Sequence, residues 1–75
     1  MFPNEFILVV LANNLKRIRQ QAGLTQSELA VKTGIHKNYI SGVERGQRNI
    51  SLCSLSRIAR GLNTSPDRLL SLRPV

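Results

Sequence analysis

In 75 residues the chain carries eleven Lys or Arg against four Asp or Glu, a formal net charge of +7. That length holds one domain with a small core and leaves no room for a large catalytic architecture, while a 41% apolar fraction argues against disorder. The single cysteine excludes an internal disulfide framework, and the charge calls for nucleic acid, an anionic membrane surface or an acidic protein as partner.

The chain opens on the apolar run Phe6-Ile7-Leu8-Val9-Val10-Leu11-Ala12, far shorter than the ~20 residues of a membrane span. It is also a poor signal peptide. No Lys or Arg precedes it, Glu5 does, and Asn13-Asn14 stands where small residues would form a cleavage site. The run reads as the buried start of a helix in a cytoplasmic protein. Leu8, Leu11, Leu15, Ile18 and Ala22 form a one-faced helical stripe, with Asn4 as its cap and Gly23 as its stop.

Thr25-Gln26-Ser27-Glu28 then fits a capping box, in which Thr25 bonds the amide of residue 28 and Glu28 reaches back. It opens a second helix carrying Leu29 and Ala30, stopped by Gly34. After Gly34-Ile35-His36 a third helix begins, with Ile40 and Val43 on one side and Gly46 as its end. Ser51 caps a fourth, whose apolar set is Leu52, Leu55, Ile58, Ala59 and Leu62. Ser65-Pro66-Asp67 starts a fifth, with Pro at the first helical position, and leads into Leu69 and Leu70. Nothing alternates with period two. The expected class is all-α, a five-helix bundle in one domain over residues 1–75.

Two short helices joined by a Gly-containing turn have the geometry of a helix-turn-helix, here over about residues 25–45. Leu29, Ala30, Ile35, Ile40 and Val43 would lock the pair at a fixed angle. Lys37, Asn38 and Ser41 are then left facing outward, with Tyr39 at the flank. Lys donates to guanine, Asn pairs with adenine, and Ser bonds donors or acceptors alike.

Gly23-Leu24-Thr25-Gln26-Ser27-Glu28-Leu29-Ala30, Thr33-Gly34-Ile35-His36, Tyr39-Ile40-Ser41 and Glu44-Arg45-Gly46 together resemble the Xre/Cro-like, lambda-repressor-like helix-turn-helix family. Glu5-Phe6-Ile7-Leu8, Tyr39 through Arg45 and Arg48-Asn49 are similar to the controller proteins of restriction–modification systems within it. The resemblance spans about residues 4–72. It implies that Lys37, Asn38, Ser41 and Arg48 contact bases, and that Gln26, Tyr39 and Asn49 contact the DNA backbone. It also implies an Arg19–Glu44 ion pair tying the first helix to the third. A lysine at position 37, where the family often carries arginine, keeps the charge but loses the bidentate fork.

Other residues have plainer readings. His36 reads first as a turn residue or N-cap substitute, second as a phosphate contact, and only remotely as a metal ligand, since no second ligand is spaced for it. Cys53 reads as a small core or interface residue. Gly42 costs about 1 kcal/mol inside a helix, either for close approach of another backbone or merely tolerated. Arg57, Arg60, Arg68 and Arg73 read as solvated charge. Three of the four carboxylates have capping or ion-pair roles, and no zinc spacing, phosphate-cradling loop or nucleophile–base pair appears. No enzyme, metal, cofactor or small-molecule ligand is expected.

One recognition helix reaches too few base edges to select a genomic site. Two copies on a pseudo-palindrome, with half-sites ~34 Å apart, double the specific contacts. The leucines over about residues 50–72 supply a candidate dimerisation part, with Leu52, Leu55, Leu69 and Leu70 expected at an isologous two-fold interface, as the resemblance implies. Residues 13–48 hold +5 of the +7. The expected function is a homodimeric, sequence-specific transcription regulator on duplex DNA. By resemblance it controls a restriction–modification operon including its own gene, and engages RNA polymerase when activating. The rivals are a promoter-binding antitoxin, a phage-type repressor, a basic membrane-surface protein and a protein-binding adaptor.

Overall fold

A computed structural model describes residues 5–73 and folds them into five α-helices. They are α1 (Phe6–Gln21), α2 (Gln26–Thr33), α3 (Lys37–Glu44), α4 (Leu52–Gly61) and α5 (Pro66–Leu69). No strand occurs among the described residues. Helix α1 packs on α3 and α5, α2 on α3 and α4, and α4 on α5. Leu11, Leu15, Leu29, Ile40, Val43, Ile58 and Leu69 are almost completely buried at the centre.

Each helix begins and ends for a local reason. The capping box of α2 is complete: the Glu28 amide donates to the Thr25 hydroxyl at 3.0 Å, and the Thr25 amide donates to Glu28 Oε1 at 2.8 Å. Gly34 closes α2 at φ +72°, a left-handed backbone that other residues reach only with strain. Ser51 caps α4 by accepting from the Ser54 amide at 3.1 Å. Pro66 occupies the first turn of α5 with Asp67 beside it. The expected Asn4 cap of α1 lies outside the described residues.

Three apolar expectations need correction. Ala22 is exposed, because α1 ends at Gln21 and the stripe stops being helical one residue earlier. Leu52, the first residue of α4, is 81% exposed and belongs to no core. Cys53 beside it is exposed too, so it is not a core residue.

Two polar side chains hold helices to one another. Buried Asn14 donates from Nδ2 to the carbonyls of Leu69 at 2.9 Å and Ser71 at 2.8 Å, fastening the end of α5 to α1. Arg57 of α4 donates to the carbonyl of Thr33 at 2.8 Å, serving one of the acceptors left open at the end of α2. No helix among the described residues is long and apolar enough to cross a membrane.

Candidate nucleic-acid interface

Helices α2 and α3 are held at their angle by Leu29, Ile35, Ile40 and Val43, all buried. This sends the other side of α3 outward. Lys37 and Asn38 are exposed and Ser41 is half-buried, as the spacing predicts. Arg45, four residues past Ser41 and eight past Lys37, continues the same stripe. Its Nη1 donates to Ser41 Oγ, and its Nε donates to Gln47 Oε1 at 3.1 Å. The sequence reading assigned Arg45 no role, although the i, i+4 spacing that places it was already visible.

His36 is the N-cap of α3, with Nδ1 accepting from the Asn38 amide at 3.1 Å. A nitrogen in that bond must be unprotonated. The imidazole therefore serves α3 with one nitrogen and leaves the other at an exposed position beside Lys37.

The loop after α3 is docked on the helix. The Arg48 guanidinium lies 5.0 Å from the centre of the Tyr39 ring, a cation–π contact, and its stem covers the face of Gly42. The Tyr39 hydroxyl donates to the Asn49 carbonyl at 3.3 Å. Tyr39, Arg48 and Asn49 thus form one cluster beside the stripe, although they come from two segments.

Glu44 faces the other way. Arg19 Nε donates to its Oε2 at 2.6 Å, and Arg19 Nη2 and Gln26 Nε2 each donate to its Oε1 at 3.0 Å. The Glu44 side chain is only 3% exposed. Its hydrogen bond and charge raise the pKa of Arg19 above the ordinary value, against the opposing effect of burial. Gln26 was expected to reach a phosphate; here its amide is engaged with Glu44 at the start of α2. Beside it, Thr25, Gln26, Ser27 and Lys37 border a shallow groove of about 420 Å³ between the end of α1 and the starts of α2 and α3.

From Lys37 to Ile50 the only carboxylate is Glu44, and it is turned inward. What the surface offers is cations, amides and a hydroxyl, an arrangement suited to a polyanion that also carries hydrogen-bonding edges. No group of three or more His, Cys, Asp or Glu is placed to hold a metal among the described residues.

The expected dimer residues are divided. Leu55 (3% exposed) and Leu69 (0%) are spent in the protomer's own core, so neither has surface to give a partner. Leu52 is exposed and Leu70 half-buried, and exposed Leu72 joins them. Periodicity marks which face of a helix is apolar, but not whether that face meets its own chain or a second copy.

The helix-turn-helix family model HTH_3 matches residues 15–69. Control protein C.SmaI of Serratia marcescens is 42% identical over 62 residues, covering 83% of this chain and 74% of that one. The crystal structure of the restriction–modification controller protein C.AhdI from Aeromonas hydrophila superposes with a TM-score of 0.80 at 40% identity, over 83% of this chain and 94% of that one. The controller protein C.Esp1396I, solved as a tetramer in complex with its natural 35 base-pair operator, superposes with a TM-score of 0.76 at 35% identity, over 88% and 97%. The chain belongs to the HTH_3 helix-turn-helix family, in the company of restriction–modification controller proteins.

Proposed function

We propose that the protein is a homodimeric, sequence-specific regulator that binds a pseudo-palindromic operator and controls a restriction–modification operon including its own gene. The observation that carries this reading is the outward face of α3 and its following loop, where Lys37, Asn38, Arg45 and Arg48 are exposed and the one carboxylate points inward. Lys37, Asn38 and Ser41 contact base edges, with Arg48 at the rim. Gln26, His36, Tyr39 and Asn49 hold the sugar–phosphate backbone. Similarity to control proteins, one of them solved on its operator, supports both the DNA partner and assembly into more than a monomer. RNA polymerase is the further partner where binding activates.

Selection of bound duplexes from a random pool tests this. The expected product is a two-fold symmetric motif with half-sites about 34 Å apart, present upstream of the protein's own gene. Lys37→Ala and Asn38→Ala relax base preference at particular positions. Arg48→Ala weakens binding more uniformly and flattens the dependence of log K on log salt by about 0.9. Equal retention of every sequence by the wild-type protein would overturn the proposal.

A further inference from the structure

A serine hydroxyl normally reads either sense of hydrogen bond, since it can donate its proton or accept on two lone pairs. Ser41 is not in that neutral situation. The Arg45 guanidinium donates to its Oγ from one turn further along α3, and is itself steadied by the Gln47 side-chain oxygen at 3.1 Å from Arg45 Nε. One lone pair of Ser41 is therefore occupied, by a group with a full positive charge. The polarised hydroxyl becomes a better donor, and an incoming N–H would approach a neighbouring cation. Its own proton is what remains to offer.

We propose that Arg45 is a positioning residue that converts Ser41 from a two-way reader into a donor, so that Lys37, Ser41 and Arg45 present a donor-only stripe along α3. Lysine ammonium and arginine guanidinium have no acceptor at all, which makes the three residues uniform. In the major groove, guanine O6 and thymine O4 are acceptors, whereas adenine N6 and cytosine N4 are donors. The stripe therefore selects keto bases, guanine or thymine, on the strand it faces, and rejects the amino bases at the position read by Ser41. Asn38, which carries both a donor and an acceptor, is the member of the face able to pair with adenine. This inference rests on α3 being the helix that enters the major groove. It adds what the groove must show there.

The test is the same random-pool selection run with the wild-type protein, Ser41→Ala, Arg45→Ala, Arg45→Lys and the double variant Ser41→Ala/Arg45→Ala, each checked for unchanged helicity by circular dichroism. The position read by Ser41 is the one whose preference disappears in Ser41→Ala. There the wild type is expected to favour guanine or thymine. Arg45→Ala should admit adenine and cytosine, lowering the keto-to-amino ratio at least about fivefold, while Arg45→Lys keeps most of it. In the Ser41→Ala background, loss of Arg45 should lower affinity without changing the base profile at that position. An amino preference in the wild type overturns the inference. So does an Arg45→Ala variant that weakens all sequences alike, which would make Arg45 a phosphate contact only. A pool that never enriches sinks the DNA-recognition reading itself, whereas an enriched motif with an unchanged ratio sinks the donor stripe alone.

Discussion

Glu44 receives three donated hydrogen bonds from two helices, and two of them come from a guanidinium that is itself buried. Taking away the carboxylate would leave Arg19 charged, desolvated and held only by its bond to the Leu24 carbonyl at 2.8 Å. Breaking such a pair from one side costs far more than the pair contributes net, because the orphaned charge keeps its burial penalty. Glu44→Ala is therefore expected to lower unfolding stability by about 3 kcal/mol in urea titrations. Glu44→Gln should cost less, since one acceptor oxygen survives. By the same logic Gln26→Ala should leave stability within about 0.5 kcal/mol while weakening DNA binding. A large stability loss from Gln26→Ala would make that residue structural and remove it from the proposed backbone contacts.

At the scale of elements, two helical glycines that look alike in sequence have opposite meanings. A Cβ at Gly61 would sit 2.6 Å from Thr33 Cγ2, and Thr33 is fixed by its hydroxyl donating to the Leu29 carbonyl at 2.8 Å. Gly61 is where α4 meets α2 too closely for a side chain. A Cβ at Gly42 would meet only Arg48 atoms, the nearest at 3.5 Å, an ordinary contact. Gly61→Ala should destabilise by roughly 1–3 kcal/mol through overpacking, and Gly42→Ala should stabilise by up to about 1 kcal/mol through helix propensity, both read as shifts of a denaturation midpoint. The capping groups add a pH dependence with a definite sign. Bonds from the Thr25 amide and hydroxyl hold the Glu28 carboxyl below its ordinary range, and the Ser65 hydroxyl does the same for Asp67. Both contributions are present above the ordinary carboxylate range and are lost as pH falls through the lowered native values. Glu28→Gln should therefore flatten the fall of Tm below about pH 4. The capping box, the Gly34 stop and the apolar stripes were legible because each lies within a few neighbouring residues. Asn14 binding a carbonyl 55 positions away, Arg57 ending α2, and the burial of Leu55 and Leu69 within one protomer depend on how helices meet, which local spacing does not encode.

The whole molecule has a charge problem and a surface problem that point to the same assembly. A net +7 on a globule with principal extents of 37 × 24 × 19 Å repels its own copies, yet Leu52 and Leu72 stand 81% and 60% exposed and Leu70 is half-buried. Seven cations lie in residues 13–48, leaving residues 49–75 with only +3. The C-terminal part is thus where two copies can approach at the lowest electrostatic cost. A duplex bound across both would neutralise the charge at the other end of each. If each protomer neutralises ~4 phosphates, log K for the dimer should fall against log salt with a slope of about −7, and a monomer's slope should be about half that. Leu52→Asp and Leu72→Asp change exposed residues and should keep the helical circular dichroism signal while shifting sedimentation toward monomer at roughly tens of micromolar. Leu69→Ala removes a core side chain instead, and should cost about 2–5 kcal/mol of stability before any effect on association appears. For the two aspartate variants, operator affinity should fall and the salt slope should halve together, since each half-site would then be held independently. Dimers that persist with an unchanged slope in both would place the two-fold contact on another face.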